Sequence, residues 1–170
     1  MNSKLTVAKH RFVKTPVLTG NRLILKEINR HDVGSIVDIS VYNGVFATNI
    51  TEAINILEQI NVDVENGESL HWGIFLKDSS VLVGTCGYYR GYARNNGEIG
   101  YILRPLYRGR GIMTETVKLI VAFGFDTLKL DTVVAYTDPE NLGSIAVLQR
   151  AGFKKVKSEH ADFKFAQHHP

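Results

Sequence analysis

One short stretch, Arg108-Gly109-Arg110-Gly111-Ile112-Met113-Thr114-Glu115, limits the folds open to this chain more than any other. An apolar, strand-like run from Glu98 to Leu103 precedes it, and a run with helical spacing from Thr116 to Phe125 follows. The β-branched run Thr132 to Tyr136 then supplies a second strand, which completes a βαβ unit. Parallel strands need such a crossover, so the chain reads as α/β. The loop also carries a chemical expectation. Glycines at a helix start leave several backbone N–H groups pointing at one spot, and the helix dipole adds partial positive charge there. A phosphate or pyrophosphate suits that place, at the carboxyl end of the preceding strand. The pattern is not a P-loop, because no Gly-Lys-Ser/Thr follows, and not a Rossmann fingerprint, because Thr114 stands at the third glycine position. A single Arg-Gly-Arg-Gly copy before an amphipathic helix is a poor RNA-binding segment.

The rest of the chain supplies the partners of that unit. Residues 1–16 are expected to form a loose arm and 17–170 one domain. Leu18 to Ile28 alternates and reads as a strand. Asn29 with Asp32 is expected to cap a helix carrying Val33, Ile36, Val37 and Val41. A second helix, capped by Thr51, carries Ile54, Leu57 and Ile60 and ends at Asn66-Gly67. Leu70 to Leu76 and Val81 to Tyr89 flank Asp78-Ser79-Ser80 as a hairpin, and Asn96-Gly97 reads as a turn before the strand Glu98 to Leu103. Asp138-Pro139-Glu140-Asn141 opens a last helix that Gly152 closes, with strands over Phe153 to Val156 and Asp162 to Ala166. The order β-α-α-β-β-β-α-β-α-β implies a mixed sheet.

Composition narrows the class. With 170 residues, 44% apolar and 22% charged, the chain resembles an ordinary globular protein. A formal charge of +3 is too mild to imply nucleic acid. No run approaches a membrane span, and Met1 to Thr15 lacks the apolar region of a signal peptide, so a cytoplasmic location is expected. The lone cysteine, Cys86, excludes an internal disulfide, and none of the six histidines has metal-ligand spacing with it. With no histidine close in sequence to activate it, Cys86 reads as a core residue rather than a nucleophile. Trp72, Tyr88, Tyr89, Tyr92 and Tyr101 suit strand packing better than a pocket lining. Asn141 with Ser144 suits a helix cap as well as a site. A strand glutamate such as Glu98 is ordinarily solvated surface, but this one feeds the anion loop.

Taken together, Leu18-Thr19-Gly20-Asn21-Arg22-Leu23-Ile24-Leu25, Gly97-Glu98-Ile99-Gly100-Tyr101, the Arg/Gln-x-x-Gly-x-Gly/Ala pattern over Arg108 to Met113, and Asn141-Leu142-Gly143-Ser144-Ile145 through Arg150-Ala151-Gly152-Phe153 resemble the GNAT superfamily of N-acetyltransferases. The closer likeness is to the RimJ/RimL branch that acetylates ribosomal-protein N-termini. It covers roughly residues 16–157, with Met113 where the motif ends in a small residue and a tail after Gly152 shorter than usual for the branch.

The resemblance implies a GNAT-like single domain: a mixed, mainly antiparallel sheet with a central parallel βαβ cofactor unit and helices on both faces. It implies acetyl-CoA as cosubstrate and a primary amine, on a protein N-terminus or a small molecule, as acceptor. By resemblance, Glu98 is the general base, Ser144 the general acid, and Asn141 a contact to the pantetheine arm or the amine. An oxyanion donor lies near Tyr101 or Ile102. The cofactor is expected on Ile102, Leu103, Arg104, Arg108, Gly109, Arg110, Gly111, Ile112, Met113, Thr114 and Asn141, its pyrophosphate on the amides of 109–114. No metal, nucleic acid or membrane partner is expected, and a homodimer is compatible. Ribosomal-protein N-termini, free amino acids, polyamines and aminoglycosides all remain open as acceptors. A CoA-binding module without turnover, or another phosphate-ligand transferase, would use the same loop.

Overall fold

Residues 12, 14–90, 92, 95–159 and 161–170 are described by a computed structural model. Most of the expected arm lies outside them, but its end is held in place. Thr15 is buried, its N–H donates to Glu27 Oε1 at 3.2 Å, and the Pro16 carbonyl accepts the Trp72 indole N–H at 2.6 Å.

The elements run β1 (Leu18–Thr19), β2 (Leu23–Lys26), β3 (Val41–Tyr42), β4 (Val45–Phe46), α1 (Ile50–Glu65), β5 (Leu70–Leu76), β6 (Leu82–Tyr89), β7 (Asn96–Leu103), α2 (Ile112–Asp126), β8 (Thr132–Thr137), α3 (Leu142–Arg150), β9 (Lys154–Val156) and β10 (Phe163–His168). Eight strands form one sheet in the order β1-β2-β5-β6-β7-β8-β10-β9, and β3 with β4 form a separate ribbon. Every pairing in the large sheet is antiparallel except β7 with β8, the two ends of the crossover through α2. The sheet is therefore mixed and mainly antiparallel around one parallel pair, as expected, and the strands after Gly152 both form.

Helices cover both faces. On one, α2 packs over Leu23, Leu25, Trp72, Ile74 and Val83. On the other, α1 packs Ala53 and Leu57 against Ile28, Phe75 and Leu82.

Four local expectations are corrected. The strand expected over Leu18 to Ile28 is interrupted at Gly20, whose N–H turns back to the Leu23 carbonyl at 2.9 Å. A Cβ on Gly20 would stand 2.7 Å from Glu115 Oε1, so the turn is shaped by the close approach of α2. The helix expected after Asn29 is instead two 3-10 turns, Val33–Ser35 and Val37–Ile39, followed by the ribbon. Val33, Ile36 and Ile39 are the buried positions, and a three-residue interval matches three residues per turn. Helix α1 is capped by Asn49 rather than Thr51. Asn49 Oδ1 accepts the Glu52 N–H at 3.0 Å, and Glu52 reaches back to the Thr48 N–H at 2.8 Å, a reciprocal arrangement readable from the Asn-x-x-Glu spacing. Finally, Asn96-Gly97 is not a turn but the start of β7. Gly97 packs under Tyr88, where a Cβ would come within 2.6 Å of the ring, so its lack of a side chain serves packing.

Candidate active site

Strands β7 and β8 pair only over Asn96–Glu98 with Thr132–Val134. Beyond Glu98, β7 stays on β6 as far as Leu103, while β8 stays on β10 as far as Thr137. The two strands of the crossover therefore part immediately after Glu98, and the gap runs along the rest of β7 to its carboxyl end, where a ligand cleft was expected. The Arg104 N–H donates to the Val83 carbonyl at 2.9 Å. By the two-residue alternation of an antiparallel ladder, the N–H groups of Tyr101 and Leu103 then face the gap, and that of Ile102 faces β6.

Two cavities meet at this opening. The smaller, about 370 Å³, lies between the parted strands and is lined by Tyr101, Tyr136, Asp138, Asn141 and Ser144 among others. The larger, about 1170 Å³, lies beneath α1 and the ribbon; Glu98, Gly100, Tyr101 and Ile102 form one wall. Tyr101 borders both. Its hydroxyl lies 2.9 Å from Ser144 Oγ, tying β7 to α3 across the gap, and burial pushes its phenol up to about 12.

Glu98 is half-buried in the larger cavity, with Arg90 Nη1 3.4 Å from its Oε1. Burial raises its carboxyl above the usual value, opposed by the charges of Arg90 and Lys164. Asn141 caps α3 by accepting the Ser144 N–H at 3.0 Å, so the capping residue also lines the smaller cavity.

The two-glycine loop has the expected backbone form. Gly109 and Gly111 both adopt φ of +74°, and α2 starts at Gly111 with no side chain capping its first amides. Ile112 and Met113 are buried in the core, so they offer backbone N–H groups and not side chains; Met113 is absorbed by packing and does not crowd the loop. Leu103 is likewise a core side chain. Arg104 Nη1 and Arg108 Nε fold back onto the carbonyls of Leu82 and Leu103, both at 3.1 Å.

Three features escaped the sequence reading. First, Arg22 clamps the loop: its Nε meets Glu115 Oε2 at 3.0 Å, its backbone N–H donates to Glu115 Oε1 at 2.9 Å, and its Nη1 donates to the Arg110 carbonyl at 3.0 Å. Second, the aromatics divide by face. Trp72 and Tyr88 are core, while Tyr89, Tyr92 and Tyr101 line the larger cavity. Third, His71 lies in that cavity with Nδ1 2.7 Å from the Tyr89 hydroxyl, and burial pushes its imidazole down to about 4. Alternation along β5 and β6 was the available signal for which side chains face inward, but not for which helix covers them.

Cys86 is fully buried, and burial raises its thiol far above the usual value, which suits the core and not a nucleophile.

Comparison with known proteins follows the same lines. Residues 22–154 match the family model described as an acetyltransferase (GNAT) domain. The chain belongs to the GNAT acetyltransferase family. Among its relatives is a Bacillus subtilis protein named "Probable N-acetyltransferase YjcK", 43% identical over 95 residues that span 54% of this chain and 52% of that protein. The chain therefore matches about half the length of that relative. A second B. subtilis relative, "Uncharacterized N-acetyltransferase YoaA", is 28% identical over 82% of this chain and 84% of its own. Mycobacterium smegmatis RimJ, solved in complex with CoA-disulfide, shares the fold with a TM-score of 0.78 over 92% of this chain and 88% of its own, at 19% identity. No helix among the described residues is long and apolar enough to cross a membrane.

Proposed function

We propose that this GNAT protein transfers the acetyl group of acetyl-CoA to a primary amine by direct attack. The observation that carries this is the meeting of two cavities at the point where β7 and β8 part, with Glu98 on one side and the Tyr101–Ser144 pair on the other. Acetyl-CoA supplies the activated acyl group as a thioester. The residues present fit it: the uncapped amides at the start of α2 suit a pyrophosphate, and the gap suits a narrow arm.

The chain's own groups account for each proton. An ammonium has no lone pair to attack with, so it must first lose a proton, and Glu98 is the carboxylate placed in the larger cavity to take it. Burial raises its basicity toward that task, while Arg90 keeps it charged. As the amine adds, charge gathers on the acyl oxygen. The N–H of Tyr101 faces the gap and suits that oxygen better than that of Ile102, which is spent on β6. The departing thiolate needs a proton, and the Ser144 hydroxyl, hydrogen-bonded to Tyr101, is the donor in the smaller cavity. As the adduct collapses the C–S bond breaks and Ser144 gives its proton to sulfur. The second proton leaving the nitrogen restores the Ser144 hydroxyl, so that an ammonium and acetyl-CoA become an acetamide, CoA thiol and one proton held on Glu98. Asn141 holds the first turn of α3 so that Ser144 stays in the gap.

The test is release of CoA thiol from acetyl-CoA over a panel of amines. Glu98→Gln is expected to lower kcat by about 10²–10⁴-fold and to leave acetyl-CoA affinity nearly unchanged. The deficit should narrow at high pH, where the acceptor is already a free amine. Wild-type kcat and pH profile in the variant would reject Glu98 as the base. Binding of CoA without release on any amine would favour a binding module.

A further inference from the structure

The deep wall of the larger cavity is polar and uncharged. Tyr89 lies across Gly87 and Gly100: a Cβ on Gly87 would meet its Cζ at 2.7 Å, and one on Gly100 would meet its Cδ2 at 2.9 Å. Those two glycines clear a shelf across β6 and β7, and only that shelf lets the phenol extend to Nδ1 of His71 on β5, 2.7 Å away. Ser69, two residues before His71 and so on the same face, is 5% exposed, lines the cavity, and has a buried Oγ with no hydrogen-bond partner among the described residues. A buried, unsatisfied hydroxyl costs free energy, and a turn of the Ser69 side chain about its Cα–Cβ bond brings the Oγ to a group placed in the cavity that the residue lines.

Around this cluster the lining is aliphatic, including Val33, Ile36, Ile56, Leu57 and Ile60. Among the described lining residues the one cation is Arg90, already engaged by Glu98, and the other carboxylates are Glu68, which is exposed, and Asp63, which accepts the Tyr42 hydroxyl at 3.0 Å. A carboxylate pressed against Ser69, His71 and Tyr89 would lose its water and gain no counter-charge, and an ammonium there would find no charge within the cluster itself, Asp63 being held by the Tyr42 hydroxyl and Glu68 standing in solvent. An uncharged donor–acceptor group would lose little and would satisfy Ser69.

The pairing register sets the span. His71 pairs with Gly87 and Gly87 with Gly100, so His71 lies two strands away from β7, while Tyr89 is the cross-strand partner of Glu98 and its ring spans the interval to His71. Two strand spacings are roughly 10 Å.

We propose that Ser69, His71 and Tyr89 form a recognition site for an uncharged hydrogen-bonding group, a hydroxyl or a carboxamide, at the far end of an acceptor amine whose middle is apolar. The inference rests on the acetyltransferase reading above and names the class of acceptor for that site. It favours amines with one charge and a neutral far end over polyamines, aminoglycosides and free amino acids.

Four amines of one chain length and similar basicity separate the possibilities: hexylamine, aminohexanol, aminohexanoic acid and hexamethylenediamine. With the full chain and saturating acetyl-CoA, kcat/KM for aminohexanol is expected to exceed that for hexylamine by about tenfold, the worth of one or two net hydrogen bonds. The acid and the diamine should fall below hexylamine. In Tyr89→Phe, which removes only the hydroxyl, the aminohexanol-to-hexylamine ratio should drop toward one, and Ser69→Ala, a smaller change, should lower the same ratio. Equal rates for aminohexanol and hexylamine in the wild type, a diamine or acid preferred over both, or a ratio unmoved in both variants would each overturn the proposal. Turnover of some other amine but none of these four overturns this acceptor class and leaves the acetyltransferase reading standing. No thiol release with any amine overturns the acetyltransferase reading, and this one with it.

Discussion

His71 shows how one buried side chain ties the cavity to solution conditions. Its imidazole titrates near 6.5 in an unfolded chain and is pushed down to about 4 by burial in the fold. Between those values the unfolded state binds the proton and the folded state does not. Stability is therefore fully present above about pH 6.5 and is lost as pH falls toward 4, by up to about 3 kcal/mol. Urea unfolding from neutrality to about pH 4 should show a steeper loss in the wild type than in His71→Gln, and parallel slopes would deny the neutral, buried state. Cys86 is the contrasting case: buried, uncharged and on the α2 face of the sheet. Cys86→Ala should retain turnover and lose about 1 kcal/mol or a little more as a small core cavity. Loss of activity with normal stability would require an acyl-cysteine route.

At the level of elements, the start of α2 depends on a contact from far away in the chain. Gly109 and Gly111 allow the loop its left-handed turns, but Arg22, 93 positions from Glu115, holds the loop and the first helical turn together through three hydrogen bonds. Arg22→Ala should weaken acetyl-CoA binding by roughly tenfold, the scale of one or two lost hydrogen bonds to charged groups, with the far-ultraviolet spectrum unchanged. Calorimetry with acetyl-CoA checks it, and wild-type affinity would show that the loop keeps its shape alone. Gly111→Asp is the harsher change. It puts a Cβ at φ +74° and a negative charge at the amides, and should abolish binding while the fold survives. Retained affinity in that variant would place the cofactor elsewhere.

For the whole molecule, the decisive feature is that the sheet comes apart where it does. Three register pairs join β7 to β8, and then each strand follows its other neighbour. The gap is bridged by Tyr101 on β7 and Ser144 on α3, elements 43 residues apart. If the two hydroxyls act as one proton-donating unit, Tyr101→Phe and Ser144→Ala should each lower kcat, and the double variant should cost little more than the worse single one. Fully additive losses in that cycle would show that the two hydroxyls act independently.

Local chemistry made much of this legible. The two-glycine loop, the β-branched run after α2 and the Asn-x-x-Ser start of α3 each depend on residues within a few positions of one another, so periodicity and turn preference report them directly. That is why the parallel unit, the two-glycine start of α2, the strand position of Glu98 and the helix-start positions of Asn141 and Ser144 could be read from the chain alone. Asn96-Gly97 misled for the opposite reason: its glycine answers to the ring of Tyr88 from the neighbouring strand, not to a turn. The Arg22 clamp, the shelf of Gly87 and Gly100 under Tyr89, and the unpartnered hydroxyl of Ser69 are likewise long-range facts. Sequence by itself determined the parallel βαβ unit, most of the other elements and the family. Only the tertiary structure decided where the sheet parts and which polar groups share a cavity, because those outcomes turn on close approaches between segments that no local pattern records.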